Sequence, residues 1–281
     1  MEVEEEAVAT ERLHVWDPAT LEEDAWLIPL PSVSSSWPDA LTAEVTRRLR
    51  SALSDGPGLA VLRGLPLDGL SDQECAEQCR SVISLVGTVR PRESAAPMDD
   101  LLATVRNTPR ATVEEAALAP HTDRAGPPGP PRLLALLCVR PALSGGESLL
   151  ISGHTVHAQL SANRPGALST LYQDFHFGAE QNLARTGPVF ARTGGQLKVR
   201  FNRYQIERGH DAVGEPLTSA QVEALDAFEE VLGDEGQFLR LPLRRGDLLV
   251  LNNNTVLHGR TSFTDHADPS RNRCLTRAWA D

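Results

Sequence analysis

The sequence predicts an α+β fold, in which a jelly-roll β-barrel carries flanking helices. Two helical patterns lie in the first third of the chain, and six to eight short strands follow with one helix inserted among them. Because the strands do not alternate regularly with helices, a parallel sheet with helical crossovers is disfavoured. The 281 residues suffice for one large β domain, and no linker-like tract divides them, so we expect a single domain over residues 1–281.

The early elements are indicated by apolar spacing and by capping signals. Apolar residues at helical spacing indicate the first helix, and the capping-box sequence of Ser71 and Glu74 opens the second. The predicted elements are a weakly ordered lead-in at residues 1–20, a helix at 41–54, a buried strand at 58–64, a helix at 71–85 and a strand at 101–105.

The second half of the chain is richer in strand signals. Thr218 and Gln221 form a second capping sequence, which begins a helix with Val222, Leu225 and Phe228 on one face. Strands are predicted at residues 133–140, 147–152, 175–178, 189–192, 197–201, 238–243, 248–251 and 274–279.

The composition excludes several classes of partner. A net charge of −11 argues against a general nucleic-acid or anionic-membrane binder, because phosphate binding needs a basic face. No window approaches 18 uninterrupted apolar residues, and the acidic start at residues 1–6 lacks the apolar core of a secretory signal. The four cysteines lack paired spacing near such a signal, which indicates a reducing compartment, so we expect a cytoplasmic protein without nucleic-acid or membrane partners. Cys75 and Cys79, four apart on the second helix, are interpreted as buried side chains and not as metal ligands.

A metal-ligand pattern lies at His121 and Asp123, which are separated by one residue. On an extended strand, residues with this spacing point to the same side, and an imidazole with a carboxylate suits divalent iron. Alone the pair is weak, since a surface turn produces it equally well. A third ligand from elsewhere would leave three positions open for a bidentate co-substrate and O2.

The candidate for the third ligand is His258, which follows a buried strand and precedes Gly259. Taken alone, a histidine in this setting is more often a hydrogen-bonded core residue. His154 and His157 compete for the role, since they lie three apart on a helical segment. No carboxylate accompanies them in register, so we interpret them as structural.

Two further segments favour the binding of a carboxylate. Arg273 and Arg277 lie four apart, so both face the same way on an extended strand, and an arginine there can bind a carboxylate in a fork. Gly145 and Gly146 permit a close backbone approach, and Ser148 supplies a hydroxyl. The alternatives are surface charge for the arginines and a simple strand-entry turn for the glycines.

Together, these motifs resemble the taurine dioxygenase and clavaminate synthase-like family of Fe(II)/2-oxoglutarate-dependent oxygenases. Each motif is short, but the 27 residues from His121 to Ser148 and the order of the motifs make the resemblance specific, and it covers most of residues 55–281. The resemblance implies a double-stranded β-helix of the jelly-roll, cupin-like type. The motifs are Pro-His-Thr-Asp at 120–123, Gly-Gly-Glu-Ser at 145–148, Leu-His-Gly-Arg-Thr-Ser-Phe at 257–263 and Arg-x-x-x-Arg at 273–277.

The resemblance also implies roles for particular residues. His121, Asp123 and His258 would be the iron ligands. Arg273 would bind the distal carboxylate of 2-oxoglutarate with help from Ser148, and Arg277 would lie near the co-substrate or the substrate. Arg271 is a rival for Arg273, because the loop after Phe263 varies in length in the family. Asn252 stands where many relatives carry aspartate, which we interpret as a change beside the metal site that leaves metal binding intact.

The implied reaction is hydroxylation of an unactivated C–H bond with Fe(II), 2-oxoglutarate and O2, releasing succinate and CO2. Arg124 and Arg277 suit an anionic substrate, such as an amino acid or a natural-product intermediate, either free or bound to a carrier protein. Loops at residues 90–120 and 178–188 are expected to line the entrance. Because Asp123 supplies the carboxylate that halogenating relatives lack, we expect no halogenation.

Three alternatives stay open at this point. One is a dioxygenase that releases sulfite or another heteroatom group after hydroxylation. Another is a desaturase or cyclase that uses the same iron centre. The third belongs to a different class: a non-catalytic jelly-roll module that binds metal as a sensor or binds carbohydrate.

Overall fold

The computed structural model describes residues 14–31, 39–91, 114–178 and 184–281, together with a strand at 104–106; for 104–106 and 114–115 it describes the backbone alone. Two β-sheets lie face to face in a mixed α/β fold, and helices cover the outer side of each sheet. The rest of the predicted lead-in and of the two predicted entrance loops lies outside the described residues. Among the described residues, no helix has the length and the apolar character needed to cross a membrane.

The described strands form two main sheets and several smaller pairings. The strands are β1 Leu27–Pro29, β2 Leu59–Arg63, β3 Thr104–Arg106, β4 Glu114–Glu115, β5 Leu118–His121, β6 Leu133–Arg140, β7 Ser144–Gly145, β8 Ser148–Ser152, β9 Asp174–Gly178, β10 Ala184–Pro188, β11 Phe190–Thr193, β12 Gln196–Val199, β13 Leu239–Leu241, β14 Leu248–Asn252, β15 Val256–Arg260, β16 Phe263–Thr264 and β17 Cys274–Ala280. The six-stranded sheet has the order β1-β2-β14-β6-β17-β3, and the four-stranded sheet has the order β13-β8-β15-β5.

The helices divide into an early pair and a later group. The first helix runs directly into a π-helical turn at Ser51–Asp55. Short 3-10 turns lie at Glu23–Ala25, Glu235–Gln237 and Pro269–Arg271. The α-helices are α1 Asp39–Arg50, α2 Asp72–Ile83, α3 Gly153–Asn163, α4 Pro165–Leu171, α5 Arg203–Val213 and α6 Ser219–Leu232.

The central strands are apolar on both faces because both faces are buried. In β2, Leu59 and Val61 point into the core between the two sheets, whereas Ala60 and Leu62 point outward to the core under α1 and α2. The same alternation places Leu257 of β15 under the later helices, and the residues beside it face inward. The inner face of the four-stranded sheet therefore looks onto the six-stranded sheet across a shared core.

The capping predictions are confirmed. The Ser71 hydroxyl accepts from the Glu74 amide at 3.3 Å, and Thr218 and Gln221 form the equivalent pair at the start of α6. The expectation of a single helix among the later strands was wrong, since α3, α4 and α5 also lie there. In α5 only Ile206, Gly209 and His210 are buried, and this helix depends on packing against β9, which sequence periodicity does not reveal.

Candidate active site

Two of the predicted ligands lie on neighbouring strands of the four-stranded sheet. His121 is the last residue of β5, and His258 is the central residue of β15. The two residues are directly opposed in the antiparallel pairing, and their ring centroids are 4.5 Å apart. Because Val256 of β15 points into the core between the sheets, His258, two residues along, points into the same space.

Asp123 is held by backbone contacts and not by a strand. The prediction that it shares an extended strand with His121 was wrong, because β5 ends at His121 and Asp123 begins a turn. The Asp123 amide donates to Oδ1 of Asn253 at 2.8 Å, and Nδ2 of Asn253 donates back to the Asp123 carbonyl at 3.1 Å. The intervening Thr122 donates from its amide to the Phe201 carbonyl at 2.7 Å.

The three donor atoms converge on one point. Oδ1 of Asp123 lies 3.4 Å from Nε2 of His121 and 3.4 Å from Nε2 of His258, and the three ligand atoms lie within 4.8 Å of one another. Donors about 2.1 Å from a metal and at right angles to one another are about 3 Å apart. The spacing therefore fits a single divalent ion. His121 points Nδ1 at the Ala119 carbonyl, 2.9 Å away, which leaves Nε2 directed at the site.

The electrostatics of the cluster favour a bound cation. Burial works against the charged form of Asp123, but hydrogen bonds with His121 and His258 outweigh it and hold the pKa of the carboxyl well below its usual range. Burial and repulsion from His121 lower the pKa of His258. Burial also opposes charge on His121, yet its hydrogen bond with Asp123 raises the pKa of that imidazole. An ionised carboxylate with a neutral imidazole is the donor set that divalent iron accepts.

The second oxygen of Asp123 has different neighbours. Nε1 of Trp279 donates to Oδ2 at 2.7 Å, and Nη1 of Arg277 lies 3.9 Å from the same oxygen. The guanidinium carbons of Arg124 and Arg277 lie 4.7 Å and 4.3 Å from the centroid of the Trp279 ring. Two cations and an indole therefore border the cluster on the side of the six-stranded sheet.

Arg273 is a buried cation, 5% exposed, immediately before β17. Burial lowers the pKa of its guanidinium to about 10, and repulsion from Arg260 adds to this effect. The guanidinium carbon lies 5.1 Å from the centre of the Phe263 ring. Within the described part of the chain, no carboxylate lies within ion-pair distance of it. A buried cation in this state favours the binding of an anion.

The glycine motif lies against this arginine. Gly146 has a φ of +74°, and a Cβ added there would lie 3.1 Å from Nε of Arg273. The predicted close approach at this motif is thus observed. Ser148, which opens β8, is buried and sits opposite Arg260 on β15. Ser148 lies two residues from Leu150, so its hydroxyl belongs to the inner face of the sheet.

The two predicted arginines do not share a strand face as expected. Arg273 precedes β17, and the pairing with β6 shifts register between Cys274 and Leu275, which breaks the alternation. The arginines consequently have different neighbours. Arg271, the rival candidate, lies exposed in a 3-10 turn, so burial distinguishes Arg273 from it.

The other candidate histidines and cysteines lie apart from the cluster, as expected. Cys75 and Cys79 are buried on α2, and burial raises the pKa of the Cys79 thiol to about 12. His157 contacts the Tyr172 hydroxyl at 2.8 Å, and burial lowers the pKa of His154 to about 3.

Sequence reasoning missed Asn253 and Trp279, which both contact Asp123. It singled out Asn252 instead, but the Asn252 amide donates to the Leu53 carbonyl at 3.1 Å, away from Asp123. Nothing in a run of three asparagines distinguishes its middle member. Trp279 lies two residues after Arg277 and so faces the same side of β17, and this spacing was the signal available for it.

The fold and the site together match a known family. Residues 25–279 match the family model described as "Taurine catabolism dioxygenase TauD, TfdA family", and the chain belongs to this family. It is an Fe(II)/2-oxoglutarate-dependent dioxygenase, with Fe(II) and 2-oxoglutarate as cofactor and co-substrate.

Among curated proteins, the chain is similar to FR-33289 synthase of Streptomyces rubellomurinus (strain ATCC 31215). The identity is 27% over 240 residues, which cover 81% of this chain and 70% of that protein. It is also 32% identical to a uridine-5'-phosphate dioxygenase of Streptomyces sp over 153 residues, covering 51% and 53% of the two chains. The chain thus spans about half the length of the second relative.

Solved structures share the fold. An asparagine oxygenase in complex with Fe(II), 2S,3S-3-hydroxyasparagine and succinate superposes with a TM-score of 0.60 at 20% identity, covering 99% of this chain and 89% of that one. The non-heme iron oxygenase OrfP with Fe and alpha-ketoglutaric acid gives a TM-score of 0.63 at 18% identity, covering 98% and 91%.

Proposed function

We propose that this dioxygenase hydroxylates an unactivated C–H bond of a small, anionic metabolite, an amino acid or a natural-product intermediate, and releases succinate and CO2. The observation that carries the proposal is the pairing of a convergent His-Asp-His cluster with the buried Arg273, whose guanidinium has no carboxylate within ion-pair distance among the described residues. A metal site with a purely structural role does not require such an arginine. A site that binds a dicarboxylate requires a cation for the second carboxylate.

His121, Asp123 and His258 would hold Fe(II), because their donor atoms converge and the carboxyl group stays ionised. When bound, Fe(II) and 2-oxoglutarate supply the activation of O2 and the oxidant for an unactivated C–H bond. Three protein ligands leave three positions for the co-substrate and O2. The chain contributes the geometry of the ligands and the apolar core behind them.

Arg273 would bind the distal carboxylate of 2-oxoglutarate, and Ser148 would share it. The guanidinium is buried beside Phe263 and Gly146. A carboxylate that binds there would displace little water from the guanidinium and would gain a forked, charge-assisted hydrogen bond. The depressed pKa of Arg273 has the same cause, since burial without an anion disfavours the charged form.

Arg124 and Arg277 would face the substrate. Both guanidinium groups stack on Trp279 next to Asp123, which puts two positive charges beside the metal ligands. The relatives support a polar metabolite, since one is named for uridine-5'-phosphate and structural neighbours contain hydroxyasparagine or hydroxy-L-Arg. We therefore infer a substrate with a carboxylate or phosphate-like group.

We further propose that the two sheets form a double-stranded β-helix, or jelly roll, within a single oxygenase domain. The face-to-face packing of two sheets with antiparallel pairs such as β15–β8 and β14–β6 supports this architecture. A cytoplasmic location stays a prediction from the sequence.

The test is anaerobic and uses the metal-free protein. Addition of Fe(II) and then 2-oxoglutarate should produce the visible charge-transfer band of an Fe(II)–2-oxoglutarate chelate, and His121→Ala and Arg273→Ala should both lose it. Arg271→Ala, which removes an exposed arginine two residues away, is the matched control and should keep the band. If Fe(II) binds but the wild-type protein forms no band, the co-substrate assignment fails and a non-catalytic metal-binding module becomes the better interpretation.

If the band forms, release of succinate identifies substrates in a screen of amino acids and phosphorylated metabolites. Analysis of the products then distinguishes stable hydroxylation from loss of a heteroatom group. Release of sulfite or of an aldehyde would contradict the proposed hydroxylation.

A further inference from the structure

The two oxygens of Asp123 are divided between two sets of partners. Oδ1 faces both imidazoles at 3.4 Å, whereas Oδ2 accepts from the Trp279 indole at 2.7 Å. Asp123 is attached to the four-stranded sheet, and Trp279 lies on β17 of the six-stranded sheet. The indole hydrogen bond thus crosses the space between the sheets and ends on a metal ligand.

This division matters because a carboxylate binds a metal through one oxygen or through both. A second bond from Asp123 would occupy one of the three positions that 2-oxoglutarate and O2 need. A hydrogen-bond donor on Oδ2 opposes that second bond, because it holds the carboxylate with Oδ2 turned toward the indole and Oδ1 toward the imidazoles. Such outer partners of a ligand commonly contribute 10–100-fold in metal affinity or activity.

The position of the Trp279 side chain is fixed by its strand and by two arginines. It pairs with Leu134 of β6, and its ring carries the guanidinium groups of Arg124 and Arg277. Arg277 is 3.9 Å from Oδ2, too far for a hydrogen bond, so the indole N–H is the direct donor.

We propose that Trp279 is a positioning residue that holds Oδ2 of Asp123 off the metal, so that Asp123 binds through Oδ1 alone and the co-substrate keeps its two positions. This inference rests on the proposed function, because it takes Asp123 as a ligand of the metal. Trp279 on β17 would thus act on the metal site through Asp123, without contacting the metal.

The experiment compares Trp279→Phe with Trp26→Phe. Both substitutions remove an indole N–H and keep an aromatic ring, but Nε1 of Trp26 is buried without a hydrogen-bond partner among the described residues. The first readout is the visible spectrum of the Co(II) protein without 2-oxoglutarate, which reports the coordination geometry. The second readout is the affinity for 2-oxoglutarate at saturating Co(II). Melting temperatures establish that each variant is folded.

We expect Trp279→Phe to change the Co(II) spectrum and to weaken 2-oxoglutarate binding by about 10-fold or more, while Trp26→Phe matches the wild type. A folded Trp279→Phe protein with a wild-type spectrum and wild-type affinity would overturn the inference, even if its melting temperature is lower. If Trp279→Phe does not fold, Trp279→Gln retains an N–H donor and is measured against Trp279→Leu, and equal spectra for these two variants would also overturn it.

A failure of the proposed function gives a different pattern. In that case the wild-type Co(II) protein does not bind 2-oxoglutarate at all. The Co(II) spectrum still reports on Asp123, so a change in Trp279→Phe supports the positioning role and an unchanged spectrum contradicts it.

Discussion

The burial of the Arg273 guanidinium lowers the stability of the ligand-free protein, and the same burial favours the proposed binding of 2-oxoglutarate. Its guanidinium is 5% exposed, and the burial that lowers its pKa to about 10 is a cost to the folded state until an anion arrives. Asn253 has the opposite character, because its amide satisfies three backbone groups at Asp123 and Pro131 with one side chain. The proposed function gives Arg273 a ligand to bind, whereas the hydrogen bonds of Asn253 are made within the protein.

Replacement of Arg273 by methionine should therefore stabilise the ligand-free protein while it weakens 2-oxoglutarate binding. We expect a gain of about 1 kcal/mol in the free energy of unfolding, since an apolar chain of similar length replaces an uncompensated charge. The affinity for 2-oxoglutarate should fall about 100-fold, as expected for the loss of a buried charge-assisted pair. Urea unfolding and calorimetric titration measure the two effects, and a strong loss of stability in Arg273→Met would contradict the account.

Asn253→Asp should disrupt the site while leaving the three proposed ligands themselves unchanged. The new carboxylate oxygen would face the carbonyls of Asp123 and Pro131, which now accept from the amide at 3.1 Å and 3.0 Å. We expect a loss of about 2–4 kcal/mol in stability and a 10–100-fold loss of Fe(II) affinity. Asn252→Asp is the matched control. The side-chain N–H group of Asn252 donates to the Leu53 carbonyl, away from Asp123, so this variant should keep the wild-type metal affinity. Equal metal affinities in the two variants would count against the role of Asn253.

At the scale of elements, helix α3 begins where residues 14–16 contact the end of strand β8. The Ser152 hydroxyl accepts from the amides of His154 and Thr155 at 3.1 Å, which caps the helix, and it donates to the His14 carbonyl. The rings of His14 and His154 are 5.0 Å apart, and both histidines are buried. Two imidazoles so placed cannot easily both carry charge.

This pair makes stability depend on pH. Burial lowers the pKa of His154 from its usual value near 6.5 to about 3, so the unfolded chain binds a proton there first as the pH falls. The stabilising effect of neutral His154 is thus complete above pH 6.5 and is lost as the pH falls toward 3, with about 2 kcal/mol lost at pH 5. In His154→Gln, the difference between the urea unfolding free energies at pH 7 and pH 5 should shrink by about that amount. His266→Gln, in the loop before β17, is the control. An unchanged pH dependence in His154→Gln would show that His154 is not the group responsible.

At the scale of the whole molecule, the site lies between the two sheets and draws on both. The proposed metal ligands belong to β5, the following turn and β15, whereas Arg277 and Trp279 belong to β17 and Arg273 directly precedes it. A metal bound by these residues would tie together parts of one sheet and its adjoining turn. A 2-oxoglutarate molecule that reached from the metal to Arg273 would connect this assembly to the other sheet.

The two ligands should accordingly stabilise the protein in separable steps. At concentrations about 100 times the dissociation constant, each ligand contributes about 2.7 kcal/mol, which corresponds to roughly 5 °C in the melting temperature. We expect His258→Ala to lose both increments and Arg273→Ala to keep the metal increment and lose that of 2-oxoglutarate. Thermal melts with Mn(II), with and without 2-oxoglutarate, measure this. A full 2-oxoglutarate increment in Arg273→Ala would place the co-substrate elsewhere.

The sequence by itself determined the features that depend on neighbouring residues and on motif order. The capping boxes at Ser71 and Thr218 and the buried strand at Leu59 were predicted correctly, because helix caps and strand alternation are local properties. The order of the motifs also predicted that His121, Asp123 and His258 come together, although their role as metal ligands stays a prediction. The exposed position of Arg271 and the burial of Arg273 were not separable, since both lie in one polar stretch.

Only the tertiary structure decided how the proposed metal ligands are held. Asp123 lies in a turn whose place is set by Asn253, 130 residues away, and its second oxygen is held by Trp279, 156 residues away. The packing of helix α5 against β9 is likewise a tertiary contact. Contacts between residues so far apart in the chain exist only after the two sheets have packed, and no local pattern in the sequence encodes which side chains then meet.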